Sequence, residues 1–104
     1  MLFCGDFNIL EPNHYPHYPT FQDWEYEFYN SLSKFDLVDA YKEKYKNKQA
    51  HSWFDRQGSG FRFDHSFISQ DICNLLDDCY YMDEPRIQKL SDHSAIITVL
   101  NIND

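Results

Sequence analysis

From Phe61 to Ser69 the chain alternates with a period of two. Phe61, Phe63, His65 and Phe67 fall on one side of an extended backbone, and Arg62, Asp64, Ser66 and Ile68 on the other. That periodicity belongs to a β-strand. Upstream, His51-Ser52-Trp53-Phe54 also reads as a strand, and the segment 55–60 holds Gly58-Ser59-Gly60, a flexible turn. Trp53 to Ile68 is therefore expected to form a hairpin or near-hairpin. Arg62 and Asp64 place a charged pair on one strand face, against the hydrophobic-in expectation; as a plain strand-face ion pair it would contribute little.

Three further strands are expected. Met1-Leu2-Phe3-Cys4 is a short apolar run with the look of a buried strand, and Cys79 to Met82 is a candidate. Ala95-Ile96-Ile97-Thr98-Val99-Leu100 is β-branched and almost wholly apolar, which predicts a buried strand. The clearest helix is 21–34, where Phe21, Trp24, Phe28, Leu32 and Phe35 recur at steps of three and four and predict a core-facing stripe. Thr20 is its expected N-cap, with Asp23 three residues on. Residues 36–41 form a shorter packing element, 42–49 a solvated helix end or loop bearing Lys42, Lys44, Lys46 and Lys48, and 70–77 a helical turn. Residues 9–20 are a loop punctuated by Pro12, Pro16 and Pro19, in which His14 and His17 are expected to be solvated rather than metal-bound. No repeat or low-complexity segment interrupts this order. Strands interleaved with helices give an α/β (α+β) class with a mixed sheet and helices on one face.

A chain of 104 residues is one domain or part of one. Its net charge of −8, from 17 acidic against 9 basic residues, excludes a simple basic sleeve for nucleic acid. It is compatible with an acidic site that collects a divalent cation. Cys4, Cys73 and Cys79 are odd in number and share no metal-ligand spacing; they read as buried small apolar residues in a reducing compartment. With no signal peptide, transmembrane run or basic tail, a cytoplasmic location is expected. The sequence opens directly on a strand. That predicts the C-terminal part of something larger, a single partial domain over 1–104, or a chain that pairs with a missing half.

Two short motifs bring chemistry. In Gly5-Asp6-Phe7-Asn8, Gly5 lets the backbone turn, and Asp6 and Asn8 project to the same side of an extended chain. One is a charged acceptor and the other a donor and acceptor, a pair that can grip a water and a phosphate oxygen together. The bland alternative is an Asx turn in which both side chains cap local backbone. Ser91-Asp92-His93 sits at the mouth of the last strand. A carboxylate such as Asp64 paired with His93 would fix the imidazole tautomer and favour its protonated form, suited to a phosphate oxygen. Asp92 adds a hard oxygen ligand suited to magnesium.

Taken in order, Gly5-Asp6-Phe7-Asn8, then Ser52-Trp53-Phe54 with Phe61-Arg62-Phe63-Asp64-His65, then Ser91-Asp92-His93 resemble the last three signature blocks of the exonuclease–endonuclease–phosphatase superfamily. Within it the likeness is to exonuclease III and the apurinic/apyrimidinic (AP) endonucleases. The resemblance implies the second half of a two-sheet α/β sandwich of the DNase I-like type. It implies that Asp6 activates or orients the attacking water, that Asn8 holds that water and the phosphate, and that Asp64 pairs with a phosphate-binding His93. Asp92, with Asp6 and Asn8, would contribute to a magnesium site, manganese being the other candidate. Phe61, Arg62 and Phe63 would line a pocket for a flipped-out sugar, with Trp53 packed beneath. The implied reaction is in-line hydrolysis of a DNA phosphodiester, at an abasic site in duplex or at a 3′ end, leaving a 3′-hydroxyl, with no membrane partner. The family's first half supplies an Asn, the Glu that is the main metal ligand and a Tyr near the phosphate. This chain has no counterpart upstream of Gly5, and Glu11 lies too close to the Asp6 motif to substitute. A fragment inactive alone is therefore expected. The alternatives are a related phosphoesterase acting on RNA, a nucleotide or an inositol phosphate, and a non-catalytic remnant or interaction module.

Overall fold

The computed structural model describes residues 1–102. In chain order its elements are β1 (Leu2–Asp6), α1 (Asp23–Ser31), β2 (Leu37–Asp39), α2 (Ala40–Lys44), β3 (Trp53–Phe54), β4 (Gly60–Phe61), β5 (Asp64–Ser69), β6 (Leu76–Met82), α3 (Glu84–Ile87) and β7 (Ala95–Leu100). Short 3-10 turns follow α1 at Leu32–Phe35 and β5 at Gln70–Leu75.

The alternating stretch becomes the spine, split in two. β4 ends at Phe61 and pairs with β3, Trp53 opposite Phe61, which is the expected hairpin. β5 begins at Asp64 and is the middle strand of three, flanked by β1 and β2. β6 and β7 form a separate ladder. Every one of these pairings is antiparallel. The helical connection through α1 does bring β2 back in the direction of β1, but β5 runs between them the opposite way.

β5 is buried on both faces from Asp64 to Ile68. Its period of two distributes side chains to two cores. Phe67 packs with Leu32 and Leu37, edged by Phe7 and Tyr29. Ile68 packs with Ala40, Tyr41, Leu76 and Cys79, under α2 and the β6–β7 ladder. Burying each such side chain contributes about 1.5–3 kcal/mol. The Thr98 hydroxyl donates to Ser66 Oγ at 2.6 Å, tying β7 to the same spine.

Several expectations are corrected. The α1 stripe is not core: Trp24 is 62% and Phe35 72% exposed, and only Leu32 of the five is buried. The helix is rotated because Tyr29, outside the stripe, is the residue that anchors it, its ring on Phe67 and its hydroxyl donating to Asp39. Gln22, not Thr20, is the N-cap, and its N–H donates to Glu25 Oε2 at 2.7 Å. Leu2, Phe3 and Cys4 are exposed rather than buried, since β1 is an edge strand among the described residues. β7 is half-buried throughout for the same reason, pairing with β6 alone among the described residues. Of the cysteines only Cys79 is buried, and that burial pushes its thiol up to about 11. His14 is not solvated: it is buried, donates from Nδ1 to the Pro16 carbonyl at 2.9 Å and accepts the Arg62 N–H at Nε2. Among the described residues no helix is long and apolar enough to cross a membrane.

Candidate active site

The β1–β5 register sets the last residue of one strand against the first of the other, so Asp6 and Asp64 face each other. Two carboxylates directly opposite on a ladder repel. His93 stands between them and resolves the conflict. Its Nδ1 donates to Asp64 Oδ2 at 2.7 Å, and its Nε2 lies 3.6 Å from Asp6 Oδ2. It is delivered by the segment leading into β7, where a bridge pairs it with Trp53. The neighbouring Ser94 is buried, its N–H donating to the Ser52 carbonyl at 2.8 Å and its hydroxyl to Asp83 Oδ1 at 2.6 Å. Arg86 Nε closes the same corner by donating to Ser94 Oγ at 3.1 Å.

Partial burial works against the His93 imidazolium. The hydrogen bond and charge of Asp64 outweigh it, helped by the charges of Asp6 and Asp92, so the His93 pKa lies above the ordinary imidazole value. Asp64 is buried, whereas Asp6 is open to solvent. Asn8 takes a positive φ of 54° and its N–H donates to Asp6 Oδ1 at 2.9 Å. The Asx turn thus forms, and it fixes one Asp6 oxygen while Oδ2 faces His93. The Asn8 residue itself remains exposed beside it.

Ligand atoms of Asp6, Asp64 and His93 lie within 4.8 Å of one another. For a magnesium ion the donor chemistry fits in part. Asp64 is committed to the imidazole, which leaves Asp6 as the available carboxylate of the three. Asp92 Oδ1 lies 4.0 Å from His93 Nε2, the same nitrogen that Asp6 faces, and its side chain is 83% exposed. One or two carboxylates with water and phosphate oxygens are a usual magnesium shell.

Solved structures of high structural similarity and low identity to this chain include the following three. A 3′ phosphatase, NExo from Neisseria bound to a product DNA hairpin, superposes with a TM-score of 0.84 at 22% identity over 96% of this chain and 44% of that one. An AP endonuclease from Archaeoglobus fulgidus gives 0.85 at 22% over 97% of this chain and 45% of that one. An AP endonuclease from Leishmania major gives 0.81 at 19% over 98% and 35%. This chain has a DNase I-like fold. It shares that fold with exonuclease III-like and AP endonuclease proteins and spans less than half the length of each of these structures. No protein-family model matches the sequence, and no curated protein sequence does.

Trp53, whose backbone bridges to His93, and Phe63, next to Asp64 in the chain, belong to an aromatic cluster. Trp53 lies 5.5 Å from Phe61 and 5.6 Å from Phe63, and the last two stack at 5.1 Å. Tyr18 stacks on Phe61 at 4.3 Å, and Phe21 contacts Phe61 and Phe63. Sequence reasoning missed Tyr18 and Phe21, one in a proline-rich loop and one assigned to the helix core; the density of aromatics in 15–21 was the only available signal.

Arg62 does not join this wall. It is 0% exposed and turned inward, donating from Nε to Glu11 Oε2 at 2.7 Å, from both terminal nitrogens to Asp39, and to Tyr81 at 3.2 Å. It does not pair with Asp64, and its place as a substrate-lining residue is corrected: the alternation that turns Phe61 and Phe63 outward turns Arg62 into the molecule. Burial disfavours the charges there, yet Arg62 holds the Asp39 carboxyl below its usual range.

Proposed function

We propose that this chain hydrolyses phosphodiester bonds in DNA with a divalent metal, as one part of an exonuclease III-like nuclease. The observation that supports it is the convergence of Asp6, Asp64 and His93 within 4.8 Å, at the junction of three sequence blocks that are far apart along the chain. Similarity of fold to a DNA 3′ phosphatase and to AP endonucleases supports the same substrate class.

In this reading Asp6 Oδ2 accepts the proton of an attacking water that Asn8 helps to orient; the water oxygen bonds to phosphorus as the P–O3′ bond opposite it breaks, and the departing oxygen takes a proton from solvent to leave as the 3′-hydroxyl. His93 presents Nε2–H to a non-bridging oxygen of the scissile phosphate, where negative charge develops. Asp64 accepts from Nδ1, orients the ring and, by raising its pKa, favours the imidazolium. Magnesium, or manganese, held through Asp6 and Asp92 with Asn8 nearby, would neutralise phosphate charge when bound. Trp53, Phe61 and Phe63 supply an apolar wall against which a sugar or base can stack. The domain is partial, residues 1–104 providing these groups and a further half providing the remaining metal ligand.

The test uses duplex DNA carrying one abasic site, and duplex with a recessed 3′ end, in magnesium. The chain alone is expected to be nearly silent, and addition of the N-terminal half of an exonuclease III-like enzyme to restore cutting that an Asp64→Asn chain does not restore. No cutting of either substrate by the pair defeats the proposal. The net charge of −8 favours a smaller phosphoester. The same assay therefore includes RNA ends, a nucleotide and an inositol phosphate, and preference for one of these decides for the second reading.

A further inference from the structure

The spine breaks between β4 and β5, and the break leaves backbone donors without a ladder partner. Ser52 meets them. It is 0% exposed, and its single hydroxyl oxygen accepts the N–H of Phe63 at 3.0 Å and of Asp64 at 3.1 Å. Its own N–H donates to the Phe61 carbonyl and its carbonyl accepts the Ser94 N–H, both at 2.8 Å. One residue therefore grips the backbone of Asp64 directly and that of His93 through the adjoining Ser94. A hydroxyl has two lone pairs for two such donors; no apolar side chain has any.

We propose that Ser52 is a positioning residue that sets the Asp64–His93 contact without touching substrate. The inference rests on the hydrolytic reading of that pair, but the clamp is a matter of geometry. The β3–β4 hairpin brings Ser52 up to the break at Phe61, its oxygen spans the break to Asp64, and its carbonyl fixes where the β7 lead-in docks. Shifting any of these contacts changes the separation between the two side chains. A catalytic imidazole displaced by about 1 Å loses on the order of 100-fold in rate.

The experiment is NMR on the 15N-labelled 104-residue chain and its variants. In the wild type, the Phe63 and Asp64 amides are expected to exchange more than roughly 100-fold slower than free peptide, as for donors in the stable part of a fold. A low-field Nδ1 proton is expected for His93, the signature of its bond to Asp64. Ser52→Ala should lose that low-field proton while its circular dichroism stays that of the wild type, and Ser52→Thr, which keeps the hydroxyl, should recover it. A folded Ser52→Ala chain with the low-field proton unchanged overturns the proposal. So do wild-type Phe63 and Asp64 amides that exchange at free-peptide rates, which needs no variant to fold. Neither readout uses turnover, so a chain that cuts no DNA counts against the proposed function without touching the clamp.

Discussion

His93 Nδ1 donates to Asp64 Oδ2 at 2.7 Å, and the opposite edge of the same ring, at Nε2, stands 3.6 Å from Asp6 Oδ2. The imidazole is thus held from behind by a buried carboxylate and presents its other nitrogen to an exposed one. The two carboxylates are alike in chemistry and differ in surroundings, Asp64 buried and Asp6 open to solvent.

Replacing Asp64 with Asn removes the charge that opposes the burial penalty on His93 but preserves the size of the side chain. In the reconstituted cleavage assay the rate should drop by on the order of 10⁴-fold, the effect of turning a carboxylate that orients a catalytic imidazole into an amide. Gel assays of abasic-site cleavage measure it, and a variant within a factor of a few of the wild type removes Asp64 from the mechanism.

The raised pKa of His93 also makes stability depend on pH. The folded state binds the proton more tightly than the unfolded chain, whose imidazole titrates near about 6.5. The stabilisation is complete below that value and is lost as pH rises through the higher folded pKa. Thermal melting should therefore decline across this window, and His93→Gln should flatten the decline. An unchanged slope in the variant counts against the assignment.

Arg62 is buried between Glu11 and Asp39. Arg62→Met leaves Asp39 buried without its cation and Glu11 with only Lys42 Nζ, 3.7 Å away, which is expected to cost about 3–5 kcal/mol. Urea unfolding followed by circular dichroism reads the change. If Arg62 instead lined the substrate wall, stability would hold and only substrate affinity would fall.

Magnesium binding is expected to depend on Asp6 and less on Asp92, because the Asp64 oxygen is already bonded to the imidazole. Calorimetric titration should show the heat of binding lost in Asp6→Asn and reduced in Asp92→Ala. Equal binding by the wild type and Asp6→Asn excludes this carboxylate as the anchor.

Much of this site was legible in the sequence because its residues lie at strand ends that hydrophobic periodicity already marks. Asp6 closes an apolar run, Asp64 sits within the alternating one, and His93 precedes the β-branched run. The pairing of Asp6 with Asp64 was not legible, because register between strands so far apart is set in three dimensions. Arg62 was misplaced for a related reason. Alternation tells which residues share a face, but not which face meets carboxylates from a distant loop and strand. The α1 stripe misled because spacing finds an apolar side without saying what lies opposite; Tyr29 won the inward position through one hydroxyl that reaches Asp39.

The guanidinium of Arg62 joins Glu11 from the first loop, Asp39 from β2 and Tyr81 from β6. Peeling away the first loop or β2 takes a carboxylate from a buried cation, and peeling away β6 takes one of its hydrogen-bond acceptors. Fraying therefore gains nothing for the chain, and its middle should open as a single unit or not at all. Asp64 continues the chain from Arg62, so the alignment of Asp64 with His93 and Asp6 should persist until the whole unit melts.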